Sequence, residues 1–192
     1  MWAACLLLAV FLASGVFLSC GTPPPGRFKR AMLVGVVLDS KGRPVSGADV
    51  RLDRIRRAQT GMNGRFAFDG VRRGERSLLV SEPGFEEAQI ELDFADRRQI
   101  VYVRLVSRRT LLEHALSAVE RGQLEAADAA LSRAAAVEDP DTDLDIVFLR
   151  AIVAYRRGEI SRAAGFLEEL RADPRSRPVA EALAAAASAG RL

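Results

Sequence analysis

The 192-residue chain predicts an α+β protein with two modules, a small seven-stranded β-sandwich followed by an α-helical repeat. Three observations carry this. Residues 31–107 are short apolar–polar alternations cut by turns rich in Gly and Pro. At Ser107-Arg108-Arg109-Thr110 the composition shifts to Ala-rich sequence poor in β-branched residues, which favours helix. Beyond that shift a segment recurs after 36 residues, Gly122 to Gly158.

The N-terminal segment reads as an address. Trp2 to Ser19 is an unbroken run of apolar and small residues, followed by Cys20-Gly21-Thr22-Pro23-Pro24-Pro25-Gly26. About 18 such residues just span a bilayer and also suit the apolar region of a signal peptide. Phe17-Leu18-Ser19-Cys20 resembles a bacterial lipobox, in which a small residue precedes a Cys that is acylated and becomes residue one. Leu18 stands one place nearer the Cys than usual, and Phe17 takes the customary Leu position. The resemblance implies a signal over residues 1–20, lipidation at Cys20, and a membrane-anchored protein of the bacterial cell envelope. It would face the periplasm or the cell surface.

No basic residue precedes the run, whereas Arg27, Lys29 and Arg30 follow it. That order favours an uncleaved transmembrane anchor, so this alternative stays open beside a cleaved soluble form. Cys5 and Cys20 are the only cysteines, so a chain processed at Cys20 has no disulfide. Residues 21–30 form a linker whose consecutive prolines favour an extended, semi-rigid spacer.

The strands follow in order. Met32 to Leu38, mostly β-branched or aliphatic, is the first. Gly42, Pro44 and Gly47 lie in the turn before the second, where Ala48, Val50 and Leu52 alternate with Asp49, Arg51 and Asp53. Arg54 to Thr60 reads as an edge strand burying little besides Ile55, its arginines discouraging pairing with other molecules. Asn63-Gly64 is a hairpin signal, since both residues tolerate positive φ. Phe66 and Phe68 share the inner face of the next strand. After a turn at Gly74 comes Arg76 to Ser81, with Leu78 and Val80 inward. A turn at Gly84 leads to Glu87–Phe94, and Ile100 to Val106 closes the set. Seven strands at this spacing suit an Ig-like or transthyretin-like sandwich.

The succession of Gly42-Arg43-Pro44-Val45-Ser46-Gly47-Ala48, Thr60-Gly61-Met62-Asn63-Gly64-Arg65-Phe66, Val71-Arg72-Arg73-Gly74 and Pro83-Gly84-Phe85 resembles carboxypeptidase regulatory-like domains. These belong with the transthyretin-like and Cna-B-type sandwiches. The resemblance implies a non-catalytic module for folding, spacing or carbohydrate or protein contact, and brings no active-site residue with it. The glycines, prolines and phenylalanines named above are therefore turn and core positions.

In the helical module, residues 110–190, Thr110 is a plausible N-cap with Glu113 completing a capping box. Arg121-Gly122-Gln123-Leu124-Glu125-Ala126-Ala127 aligns with Arg157-Gly158-Glu159-Ile160-Ser161-Arg162-Ala163, and each copy runs on to a proline, Pro140 or Pro174. The pattern resembles degenerate tetratricopeptide repeats. The resemblance implies Gly122 and Gly158 at inter-helix turns, Ala127 and Ala163 where helices cross closely, and Leu131 and Leu167 in the core. Leu111, Leu116, Phe148 and Leu149 are also assigned to the core. Pro178 to Ala189 is a closing helix. A plain helical bundle is the alternative.

Charge divides the same way. Residues 21–109 hold 18 Lys/Arg and 11 Asp/Glu, or +7, and residues 110–192 hold 10 Arg and 14 Asp/Glu, or −4. The basic excess is spread over many turns without interleaved aromatics, which argues against nucleic-acid binding. Asp139, Asp141, Asp143 and Asp145 imitate the start of an EF-hand loop. Leu144 stands where Gly is required and Arg150 where a bidentate Glu is required, so helix capping is the better account. His114 is the only histidine and has no metal-ligand or dyad partner. The sequence therefore implies no cofactor, metal or catalytic residue.

The function expected is that of a non-enzymatic envelope lipoprotein acting as a protein-interaction or scaffold module, its helical repeat binding a protein partner. The alternatives are a carbohydrate- or peptidoglycan-contacting module, or an accessory subunit of an envelope enzyme or transporter. Against a glycan site stands the assignment of Tyr102 and Tyr155 to buried positions.

Overall fold

The computed structural model describes residues 30–95, 98–138 and 143–190. Seven strands are followed by five helices: β1 (Ala31–Asp39), β2 (Asp49–Leu52), β3 (Arg56–Gln59), β4 (Arg65–Val71), β5 (Gly74–Ser81), β6 (Ala88–Phe94) and β7 (Ile100–Leu105), then α1 (Arg108–Glu120), α2 (Leu124–Ala135), α3 (Asp143–Arg156), α4 (Ile160–Ala172) and α5 (Arg177–Ser188). Among the described residues no helix is long and apolar enough to cross a membrane.

The strands form two sheets, β4-β1-β7 and β3-β2-β5-β6. In the first, β1 pairs antiparallel with β4 and parallel with β7. In the second, every pairing is antiparallel. Strand alternation explains the core, because successive side chains point to opposite faces. Leu33 and Val37 of β1, Val50 and Leu52 of β2, Leu78 and Val80 of β5, Phe94 of β6, and Val103 and Leu105 of β7 are almost fully enclosed between the sheets. Phe66 and Phe68 of β4 are buried with their rings edge to face, centroids 6.0 Å apart.

Asn63-Gly64 turns the chain without making a hairpin. The segment closes with a hydrogen bond from the Gly64 N–H to the Gly61 carbonyl at 2.8 Å, and the Asn63 Oδ1 accepts the Arg65 N–H at 3.1 Å. Yet β3 pairs with β2 and β4 pairs with β1, so the turn carries the chain from one sheet to the other. Gly64 adopts φ +69° and its carbonyl accepts the Val37 N–H at 2.8 Å, which ties the turn to the C-terminal part of β1. Arg56–Gln59 is an edge strand, but Ile55 lies outside it and is 85% exposed, contrary to its assignment as the buried residue there.

The helices stack as consecutive antiparallel neighbours over a second core of Leu111, Ala115, Ala127, Leu131, Ala134, Ile146, Leu149 and Val153. Enclosing a Leu of this kind contributes roughly 1.5–3 kcal/mol. Thr110 is not the N-cap of α1. Ser107 is, its Oγ accepting the Thr110 N–H at 3.1 Å and pairing with the Thr110 hydroxyl at 2.9 Å. Only two residues thus separate the end of β7 from the start of α1.

Candidate functional site

The repeat seen in the sequence has the same geometry twice. Gly122 (φ +73°) and Gly158 (φ +78°) end α1 and α3 in the left-handed conformation that terminates helices. In the first copy the Gln123 N–H reaches back to the Ala118 carbonyl at 2.8 Å; in the second, the Glu159 N–H reaches the Ala154 carbonyl at 2.9 Å. Ala127 and Ala163 are both buried, as is Leu131, whereas Leu167 is half-buried.

This stacking places α1, α3 and α5 side by side and leaves two apolar recesses along them. One, about 460 Å³, is lined by Leu112, Leu116, Phe148 and Leu149 with Arg109, Glu113 and Asp145 at its rim. The other, about 430 Å³, is lined by Phe148, Val179, Ala182, Leu183 and Ala186 with Pro178. Phe148 is common to both. Leu116, assigned to the core from its spacing, is 46% exposed and forms a wall of the first recess. The rim is ordered by charge: Glu113 pairs with Lys41 at 3.2 Å and with Arg109 at 3.7 Å.

Lys41 belongs to the sandwich, so this pair also links the two modules. Other links reinforce it. The Arg133 guanidinium donates to both Glu86 carboxylate oxygens, at 2.8 and 2.6 Å. The Arg108 N–H donates to the Gly84 carbonyl at 2.9 Å, and the Glu86 N–H to the Val106 carbonyl at 2.9 Å. The hydrogen-bonded Arg133 holds the Glu86 carboxyl below its ordinary pKa, outweighing partial burial, and Glu86 in turn raises the Arg133 pKa. Nearby, burial pushes the Glu82 carboxyl up. The buried Arg108 side chain donates to the Asp143 carboxylate at the start of α3, tying α1 to the acidic run.

In the sandwich, burial alone would raise the Asp39 carboxyl. The backbone N–H and guanidinium of Arg43 and the Lys41 N–H, at 2.7–2.9 Å, outweigh it and hold the carboxyl below its usual range. Asp39 therefore organises the turn containing Gly42 and Pro44. Gly47 sits beside the Glu82 carboxylate, Gly74 is the first residue of β5, where the β4–β5 turn ends, and Gly84 lies in the turn after it.

The remaining sequence expectations separate. Cys20 and the linker up to residue 29 lie outside the described residues, as do Asp139 and Asp141. His114 is exposed on α1. Among the described residues no group of three or more His, Cys, Asp or Glu is arranged to hold a metal ion. Tyr102 is not buried: it is 66% exposed on the outer face of β7, because Val101 and Val103 take the inward positions. The two recesses on α1, α3 and α5 were not legible as such, since they depend on which apolar positions the neighbouring helices leave uncovered.

Residues 32–105 match the family model described as Carboxypeptidase regulatory-like domain. The chain is similar to a number of solved structures, two of which illustrate the range. A chain of a type II cohesin–X-dockerin complex from Acetivibrio cellulolyticus shares 12% identity, with 39% of this chain and 56% of that chain covered and a TM-score of 0.34. Catechol 1,2-dioxygenase from Pseudomonas arvilla C-1 shares 16% identity, with 45% and 54% covered and a TM-score of 0.34. The matched regions span little more than half the length of either structure. No curated protein matches the chain.

Proposed function

We propose that this chain is a non-enzymatic envelope lipoprotein, anchored through Cys20, whose helical module binds a segment of a protein partner along α1, α3 and α5. The single observation that carries the reading is the pair of apolar recesses sharing Phe148. Partly exposed Leu116, Phe148 and Val179 offer a row of apolar contacts with Arg109, Glu113 and Asp145 to orient a bound segment. That combination suits recognition by apolar anchors with a polar rim. The helical pairs are read as degenerate tetratricopeptide-like repeats, on the strength of the twofold glycine geometry at Gly122 and Gly158. The regulatory-like match over residues 32–105 supports a spacer or contact role for the sandwich, the family being non-catalytic.

One observation favours the carbohydrate-contacting reading more than the sequence did. Tyr102 stands exposed beside Ile100 on the outer face of the three-stranded sheet, and an exposed ring is what a sugar face stacks on. The two readings use different surfaces and separate in one experiment. Proteins captured from membranes by the intact chain are compared with those captured by a Leu116→Glu/Val179→Glu variant and by Tyr102→Ala, and all three are assayed for peptidoglycan co-sedimentation. Loss of a partner only in the helical variant supports protein binding along α1, α3 and α5. An unchanged captured set in that variant, with peptidoglycan binding lost in Tyr102→Ala, overturns it in favour of the glycan reading.

A further inference from the structure

The corner of the sandwich at which the chain enters β1 concentrates unpaired positive charge. Ala31 is paired with Val71 at the end of β4, and Gly70 lies next to the Arg30 side chain, with Cδ 3.8 Å from where a Cβ would stand. Arg72 and Arg73 follow in the β4–β5 turn. The Arg56 guanidinium, over the Phe68 ring at 5.5 Å, donates to the Asp69 carbonyl and so brings the β2–β3 turn to the same place. Arg30, Arg54, Arg72 and Arg73 are all exposed, and among the described residues none of them forms an ion pair. Elsewhere arginines are commonly paired, as Arg43, Arg51, Arg76, Arg133 and Arg157 are.

The turn between β2 and β3 is built in an unusual way. Asp53 (φ +51°) and Arg54 (φ +61°) both adopt the left-handed conformation that non-glycine residues seldom take. Its effect is to present Ile55 to solvent amid the arginines, with half-exposed Met32 and Ile100 on the neighbouring sheet face. Most carboxylates of this end face away from the arginines. Glu75, Glu91 and Asp93 line a recess on the outer face of the four-stranded sheet, together with Asp53, which pairs with Arg76 at 3.6 Å. Asp69 is the exposed carboxylate nearest the arginines on the β4 side.

We infer that this corner rests on an anionic lipid surface, with Arg30, Arg54, Arg72 and Arg73 facing phosphate headgroups and Ile55 entering the interface. The inference rests on the membrane-anchored reading above. Guanidinium groups around a protruding aliphatic residue suit a lipid interface, whereas single-stranded nucleic acid calls for stacking rings, and among the described residues this corner exposes none, the Phe68 ring being buried. Reach is adequate. The nine residues from Gly21 to Lys29 span at most about 30 Å when extended, so an anchor ending at Cys20 keeps the corner close to the bilayer. The helical module joins the opposite end of the sandwich, through Lys41, Gly84 and Glu86, and its binding face is left clear of the membrane.

The test places one tryptophan at the corner. Full-length protein carrying Trp2→Phe and Ile55→Trp is reconstituted into vesicles of phosphatidylcholine alone, or of phosphatidylcholine with about one-third phosphatidylglycerol, each with brominated acyl chains. The result expected is a blue shift and at least twofold quenching in the anionic vesicles. Both should be weaker in phosphatidylcholine and be lost with Arg72→Glu/Arg73→Glu, while Gln89→Trp, at the far end of β6 in the same sheet, stays unquenched. Quenching at position 55 that is absent, or equal in both lipids, overturns the inference. So does tighter binding of a labelled oligonucleotide than of anionic vesicles by the same arginines. Cys20→Ala assayed separately for release from membranes tests the anchor; if release fails while position 55 is quenched, the anchor assignment falls and the lipid contact stands.

Discussion

Substituting Gly64 by Ala tests how the two sheets are joined. Gly64 sits at φ +69°, and its carbonyl accepts the Val37 N–H at 2.8 Å while the Val37 carbonyl accepts the Val45 N–H at 3.0 Å. A methyl group there would press on the Val37 carbonyl oxygen and stand 3.1 Å from the Pro44 Cβ. The left-handed backbone alone costs an alanine about 1–2 kcal/mol, and forcing the methyl into a packed site adds about 1–3 kcal/mol. The stiffer unfolded chain returns about 0.4–1 kcal/mol. The net loss is about 1–4.6 kcal/mol, centred near 3. Gly42→Ala is the control, since Gly42 has φ +78° but nothing within 4 Å of the added carbon, and it should lose about 1 kcal/mol or less. Urea unfolding of both full-length variants, followed by far-ultraviolet circular dichroism, measures the difference. Equal losses in the two would refute the claim that contact with β1, rather than backbone conformation, makes glycine necessary at position 64.

Three further outcomes follow from the same structure. Arg54→Gly should leave stability unchanged or raise it by up to about 1 kcal/mol in urea unfolding, because relief of the left-handed arginine exceeds the entropy that glycine adds to the unfolded chain. Ala127→Leu should cost about 1–3 kcal/mol where α1 and α2 cross, against almost nothing for the exposed Ala126→Leu, read by thermal unfolding. Glu86 has a depressed folded pKa, so its contribution is present above the ordinary carboxylate pKa and is lost as pH falls through the depressed value. With both partners partly exposed, Glu86→Gln should therefore cost about 1 kcal/mol or less at pH 7, and the cost should vanish as pH falls through the depressed value, a trend that urea unfolding across an acid pH series checks.

Much of the fold was legible in local pattern. Alternation at Val50–Leu52 and Leu78–Val80, and the turns at Gly42, Gly74 and Gly84, give the strand count without reference to tertiary contacts. The misplacements have a common cause, namely that partners are chosen non-locally. Asn63-Gly64 declares a turn but not which strands it joins, and here it crosses between sheets. In Ile100-Val101-Tyr102-Val103 both faces are apolar, so parity rested on the pairing of β7 with β1, which sends Tyr102 outward. Thr110 and Ser107 are both competent caps, and the earlier one wins because the chain is already held there by the Phe85–Ser107 bridge. The basic corner was visible only as a net charge until the turns were folded together.

The central claim is that the face formed by α1, α3 and α5 binds a protein partner. The most direct test is site-specific photocrosslinking in membranes from the native cell type, with a photoreactive residue at Leu116 or Val179 and a control at Gln89. A discrete covalent adduct is expected from positions 116 and 179, with none from position 89. No adduct at either helical position, or the same adducts from all three, would contradict that claim.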